Sequence, residues 1–180
     1  SHPDCAKQRI DGTGVADGAG LFVREVAHHG NQASCLEEAS DIARMIQEAC
    51  NGQATWTDRD GVVRPLEPKN ILVIAPYNAQ VGQLHLELAK LNVDIGTVDK
   101  FQGQEAPLVF YSCTSSTPED APRGMSFLYD PHRLNGASSR AMCAFVLVAS
   151  PALFTPEAKT LEQMRQANGM CRLRELAQRI

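Results

Sequence analysis

Ile71 to Ala75 reads ILVIA, five apolar residues without a break. Successive side chains of a strand point to opposite faces, so an unbroken apolar run suits a strand covered on both sides. That is the position of a strand in a parallel sheet flanked by helices. Pro65 and Pro68 punctuate the polar stretch before it, and Pro76 makes the turn after it. Beyond Pro76, Val81, Leu84, Leu88 and Leu91 recur at the spacing of a helix face.

The same alternation extends in both directions. Leu21 to Ala27 (LFVREVA) reads as a strand, and Ser34 with Glu37 predicts a capping box at the start of the next helix. Ala39, Ile42, Ala43 and Ile46 form the apolar stripe of that helix, and Gly52 lies just past its end. Asp60-Gly61 marks a hairpin turn within WTDRDG. Downstream come a short strand at Ile95 to Val98, an apolar strand at Leu108 to Cys113 (LVFYSC) and another at Ala144 to Ala149 (AFVLVA). A helix is expected near Leu134 to Ala141, and one long helix from Thr160 onward, carrying Leu161, Met164, Cys171, Leu173 and Leu176. Strands alternating with helices give an α/β fold with a mainly parallel sheet. The expected division is an irregular stretch over residues 1–20, which opens Ser1-His2-Pro3 like a truncation or cloning remnant, a domain over 21–155 and a packing helix over 156–180.

Composition narrows the class. The 180 residues are 43% hydrophobic and 21% charged, ordinary for a globular domain. No run of apolar residues is long enough to span a membrane, and no partner membrane is expected. The net charge of −4 argues against an autonomous nucleic-acid-binding module, though not against one wall of a nucleic-acid channel. Six cysteines, at 5, 35, 50, 113, 143 and 171, form no CxxC pair and match no histidine at zinc spacing. No metal site is expected, and scattered thiols suit a reducing cytoplasm. His28 and His29 are adjacent, so in a strand they cannot grip one ion; structural or solvent roles suit them better.

Three segments concentrate polar groups where a connector needs few. Ala75-Pro76-Tyr77-Asn78-Ala79-Gln80 joins a buried strand to a helix, and an ordinary helix cap would account for it locally. Thr97-Val98-Asp99-Lys100-Phe101-Gln102-Gly103-Gln104-Glu105 lies between two apolar strands, with Gly103 allowing close backbone approach. Arg133-Leu134-Asn135-Gly136-Ala137-Ser138-Ser139-Arg140-Ala141 sets an arginine among small residues, where its fork of donors could reach a phosphate. Ligands of open parallel sheets gather at the carboxyl ends of strands, and all three segments are expected there.

Together these segments resemble motifs four, five and six of the second motor domain of superfamily 1 helicases, in the family's order and spacing. The resemblance runs from about Leu21 to Ala149 and is closest to the branch of nonsense-decay helicases and replication helicase–nucleases. With WTDRDG and EDAPRG (Glu119 to Gly124), it extends to bacterial proteins in which such a helicase is joined to a RecB-like nuclease. It implies a RecA-like, three-layer α/β fold that packs in cis against a first RecA-like domain, with ATP between the two and single-stranded nucleic acid across the top. By resemblance, Arg140 is the arginine finger and Glu105 faces the nucleotide. Gln102 and Gly103 join the ATP side to the nucleic-acid side, Thr97 contacts a backbone phosphate, and Pro76, Tyr77 and Asn78 border the nucleic-acid path, where Tyr77 could stack on a base. The nuclease-fused relatives favour DNA over RNA. Two departures stand out: Gly136 where the family usually has a larger apolar residue, and Met142 where it often has a basic one.

No GxxxxGK[ST] loop occurs in the chain. The family carries that loop and the magnesium-binding acid on the first motor domain. ATP and Mg2+ would therefore be bound mainly there, with none held tightly by this chain alone, which is expected to be inactive. A nucleic-acid-binding module without motor activity is the alternative. An unrelated α/β enzyme is disfavoured by the lack of a G-x-S-x-G elbow, an HExxH helix or a nucleotide-binding glycine loop.

Overall fold

The computed structural model describes residues 7–157 and 160–180; Ser1-His2-Pro3 and Cys5 lie outside them. In chain order its elements are β1 (Arg9–Asp11), β2 (Gly20–Glu25), α1 (Leu36–Ala49), β3 (Thr55–Thr57), β4 (Val63–Pro65), β5 (Ile71–Ile74), α2 (Asn78–Glu87), β6 (Asp94–Gly96), β7 (Ala106–Ser112), α3 (Gly124–Leu128), α4 (Pro131–Ser138), β8 (Ala141–Ala149), α5 (Leu161–Leu176) and β9 (Gln178–Arg179). The main sheet has the order β6-β5-β7-β8-β2-β9, and every neighbouring pair in it is parallel. All four residues of β5 and all seven of β7 are buried, as their unbroken apolar runs require.

Alternation along the strands splits the interior into two layers. Ile71, Val73, Leu108, Phe110 and Val146 face α1, α2 and the small sheet. Leu72, Ile74, Val109, Tyr111, Phe145 and Leu147 face α3, α4 and α5. The result is a three-layer RecA-like α/β fold. Among the described residues no helix is long and apolar enough to cross a membrane.

Several sequence expectations are corrected. The stretch before Leu21 is not irregular over its described part. β1 pairs antiparallel with β3, which pairs with β4, and Ile10, Val15 and Ala16 enter the core. Its glycines misled: Gly12, Gly14 and Gly18 all take positive φ, so they fold the segment into tight turns. WTDRDG does form the β3–β4 hairpin, with the Gly61 amide donating to the Asp58 carbonyl. The cap of α1 is Cys35, not Ser34: its sulfur accepts from the Glu38 amide, while its own amide donates to Gln80 Oε1 at 2.6 Å. The expected helix to Ala141 stops at Ser138. The C-terminal helix stops at Leu176 and is followed by β9, whose pairing with β2 lets the Ile180 amide donate to the Val23 carbonyl.

Candidate functional site

The three polar segments do not meet at one end of the sheet. β5 and β6 end at Ile74 and Gly96, and just past β5 the Ala75 amide donates to the Gly96 carbonyl, so Pro76 to Asn78 and Thr97 sit together at the carboxyl ends. Glu105 immediately precedes β7 and Arg140 immediately precedes β8, so both stand at the amino ends of those parallel strands. A seven-residue strand is on the order of 20 Å long, which is the scale separating the two ends. The expectation that all three segments gather at carboxyl ends is therefore wrong. The cause is that two of them run along the sheet: Thr97 to Glu105 connects one end to the other, and α4 carries Arg133 near one end and leads to Arg140 at the other.

At the carboxyl end a groove of about 390 Å³ is bordered by Asn78, Thr97, Asp99, Arg123, Phe127 and Arg133, among others. Arg123 and Arg133 hold their guanidinium carbons 4.0 and 4.1 Å from the centre of the Phe127 ring. The Tyr77 ring packs on Phe127 with centres 5.4 Å apart. Tyr77 is only 7% exposed, so it is not free to stack on a base as the sequence suggested. Its residue type fits stacking; its burial against Phe127 forbids it. Burial raises the pKa of the Tyr77 hydroxyl, partly offset by the Ser115 side chain and by the charges of Arg123 and Arg133. Pro76 is buried too, while Asn78 is exposed and Thr97 half-buried.

Thr97 leads into the short turn Val98–Phe101, whose Lys100 folds back so that Nζ donates to the Ile95 carbonyl at 2.7 Å. A Cβ on Gly96 would overlap the Lys100 side chain, which would have to swing away from the Ile95 carbonyl to admit it. Gln102 to Glu105 are exposed, and Gly103 turns the chain at φ 82°. The turn packs on α4, where a Cβ built on Gly136 would lie 3.1 Å from Val98 Cγ1. The space of the larger residue usual in the family is thus taken by Val98.

At the amino end the Ala106 amide donates to the Arg140 carbonyl at 2.9 Å, fixing the two segments side by side. The β7–β8 register shifts between Ala106 and Leu108, at Pro107, which has no amide hydrogen to give. Arg140 is half-buried, its Nε is enclosed, and its guanidinium has no ion pair or hydrogen bond among the described residues. A larger cleft opens next to its chain neighbours, bordered by Glu105, Ser139 and Met142 on one side and by Asp58, Arg59 and Lys69 on the other. Met142 therefore gives this cleft an apolar patch where a basic residue would add a charge. The Asp58 carboxyl is held low by the Val62 amide and then by Arg64.

A third polar centre was not foreseen. Glu38, fully buried, accepts from the Ser112 hydroxyl and the Thr114 amide and lies 3.0 Å from His28 Nε2. His28 Nδ1 reaches Ser116 Oγ at 2.7 Å. Gln80 joins in, donating to the Cys35 carbonyl and to Ser112. The signal for it was a glutamate on the apolar stripe of α1, one turn before Ile42. Ligand atoms of His28, Cys35 and Glu38 lie within 4.8 Å of one another and could hold a metal ion. Both ring nitrogens of His28 are already engaged, and burial together with Glu38 pushes the Cys35 thiol up to about 12, away from the thiolate a metal needs. A hydrogen-bond network fits these groups better. Arg123 and Phe127 were also missed, though their spacing of four is that of contacting side chains on a helix.

Residues 22–152 match the family described as AAA domain. The chain belongs to that family. Relatives of this AAA-domain chain include a regulator of nonsense transcripts 1 homolog from Arabidopsis thaliana, 33% identical over 137 residues, which is 76% of this chain and 10% of that protein. Helicase sen1 of Schizosaccharomyces pombe is 31% identical over 117 residues, 64% of the chain and 6% of the relative. The DNA replication ATP-dependent helicase/nuclease JHS1 of Arabidopsis thaliana is 32% identical over 113 residues, 63% and 8% respectively. The AAA-domain chain thus spans about a tenth or less of the length of these relatives.

Proposed function

We propose that this chain is the second RecA-like motor domain of a superfamily 1, ATP-dependent nucleic-acid helicase. Residues 21–155 form the motor unit, extended by the segment before it, and the described residues of 156–180 pack against it. The observation that carries the reading is the unpartnered Arg140 guanidinium, on the residue whose carbonyl accepts from Ala106 next to Glu105, at the end of the sheet opposite the Thr97 groove. A free guanidinium is what a phosphate needs, and two of the relatives, sen1 and JHS1, are named as helicases.

In this reading ATP with Mg2+ is held mainly by a first RecA-like domain in cis and supplies the free energy for movement. Arg140 donates to the phosphate charge that redistributes during hydrolysis, and Glu105 lines the same cleft. Gln102 and Gly103 sit on the segment that runs from this cleft toward Thr97, so a shift at one end is passed to the other. Thr97 and Asn78 line the single-strand track; Pro76 and Tyr77 shape it from beneath. DNA is the favoured strand, with a RecB-like nuclease domain in cis and a cytoplasmic setting. The chain alone holds half of an ATP site and does not hydrolyse ATP.

The test uses the full-length protein containing this chain. Arg140→Ala is expected to lower strand-stimulated ATP hydrolysis about a thousandfold or more, with the Kd for a non-hydrolysable analogue nearly unchanged. Full activity in that variant would remove the finger assignment. A wild-type protein that binds strands but never hydrolyses ATP would instead make the domain a binding module without a motor.

A further inference from the structure

We infer that Arg123 and Arg133 form a paired, base-independent subsite for the backbone phosphates of a single strand. The inference rests on the nucleic-acid side of the function proposed above and adds to it two residues and a mode of recognition. The two guanidiniums converge on one groove, 4.0 and 4.1 Å from the Phe127 ring centre. Neither has an ion pair or hydrogen bond among the described residues, and Arg133 Nε is buried without a partner. They are held by the ring, not by a carboxylate, so their N–H groups stay available to an anion. Asp99 borders the same groove but bonds to neither arginine, so two cations face it without a bound carboxylate.

The same packing fixes what kind of anion. Phe127 is already shared by both guanidiniums and the Tyr77 ring, and Tyr77 is buried. A base could reach the Phe127 ring only by displacing one of them. What remains is the terminal edge of each guanidinium, on a groove also bordered by Thr97, Asn78 and Asp99. The guanidinium edges, Thr97 and Asn78 suit phosphate oxygens, which occur at every step of a strand whatever the bases. A motor that must pass over any sequence needs such a contact.

The experiment measures binding of the full-length protein to a thymidine oligomer and to an abasic oligomer of equal length, across a salt series. Each single Arg→Gln substitution at 123 or 133 is expected to reduce the slope of log K against log salt by about 0.7, and the double substitution by about twice that. The reductions are expected to be equal on the two oligomers. Arg→Lys at either position is expected to keep the wild-type slope. In the wild-type protein both oligomers are expected to shield Arg123 and Arg133 from phenylglyoxal, a measurement that needs no variant to fold. Unchanged slopes in folded Gln variants, or no shielding, would overturn the subsite while leaving the helicase reading intact. Loss on the thymidine oligomer alone would overturn its base independence. A wild-type protein that binds neither oligomer would sink the nucleic-acid reading itself.

Discussion

Val98 occupies the space that a side chain on Gly136 would need, with only 3.1 Å between its Cγ1 and a Cβ built on the glycine. This contact joins the Thr97–Glu105 segment to α4, the two elements that run from the Thr97 groove to Arg140. In helix energetics Gly→Ala gains about 1 kcal/mol, while overpacking costs typically about 1–3 kcal/mol. Gly136→Ala should therefore stabilise the protein clearly more in a Val98→Ala background than in the wild type. A double-mutant cycle by urea unfolding is expected to give a coupling of about 1 kcal/mol. A coupling near zero would mean that the turn and α4 are not in registered contact.

Glu38 anchors the start of the loop that follows β7. Its carboxylate takes the Ser112 hydroxyl and the Thr114 amide and faces His28, all fully or nearly fully buried. Thr114 has φ 74°, a left-handed value that a threonine holds only when its surroundings impose it. Glu38→Ala strands three polar groups at once, so a loss of roughly 3 kcal/mol or more is expected. Glu38→Gln keeps one acceptor and should lose less. Denaturant midpoints decide; a loss below about 1 kcal/mol for the alanine variant would show that the network carries little.

The fold was legible because burial on both faces leaves a plain mark, and ILVIA, LVFYSC and AFVLVA all became central parallel strands. What stayed hidden depended on direction or on partners far away in sequence. Nothing in TVDKFQGQE says that its first residue lies at one end of the sheet and its last at the other. Tyr77 has the chemistry of a stacking residue, but it is buried with its ring packed on Phe127, fifty positions on. The cap moved from Ser34 to Cys35 because Gln80, on another helix, fixes the Cys35 backbone. β9 is two exposed polar residues and carries no strand signal at all.

Acid should weaken the protein in part through Asp41. Burial pushes its carboxyl up, but hydrogen bonds and charge from Arg24 and Arg44 outweigh this and leave its pKa below the ordinary value. The folded state then binds protons less readily than the unfolded chain, whose aspartates titrate near about 3.9. The contribution is complete above that pH and is lost as pH falls through the lower, folded value. Asp41→Asn is expected to cost about 1 kcal/mol at neutral pH and to flatten the stability curve below about pH 4. Unfolding curves from pH 3 to 7 test it, and an acid limb of unchanged steepness would remove Asp41 as a contributor.

The Gln80–Cys35 contact sets how often the start of α1 opens. Burial and then Glu38 raise the Cys35 thiol to about 12, so at pH 8 only on the order of one part in ten thousand is thiolate. Burial also raises Cys113 well above its ordinary value and Cys143 to about 11, whereas Cys50 and Cys171 are only half-buried. Among the described cysteines, native-state alkylation should therefore reach Cys50 and Cys171 first. Cys35 reacts only when α1 frays, and that needs the bonds to both sides of the Gln80 amide to break. Gln80→Ala removes both bonds, so Cys35 labelling is expected to rise roughly tenfold, the equivalent of about 1.4 kcal/mol of local opening. Cys113, at the end of β7, reports global unfolding and serves as the internal reference. If Cys35 and Cys113 accelerate together, Gln80 acts on overall stability; if only Cys35 does, it is a local clamp holding α1 against the start of α2.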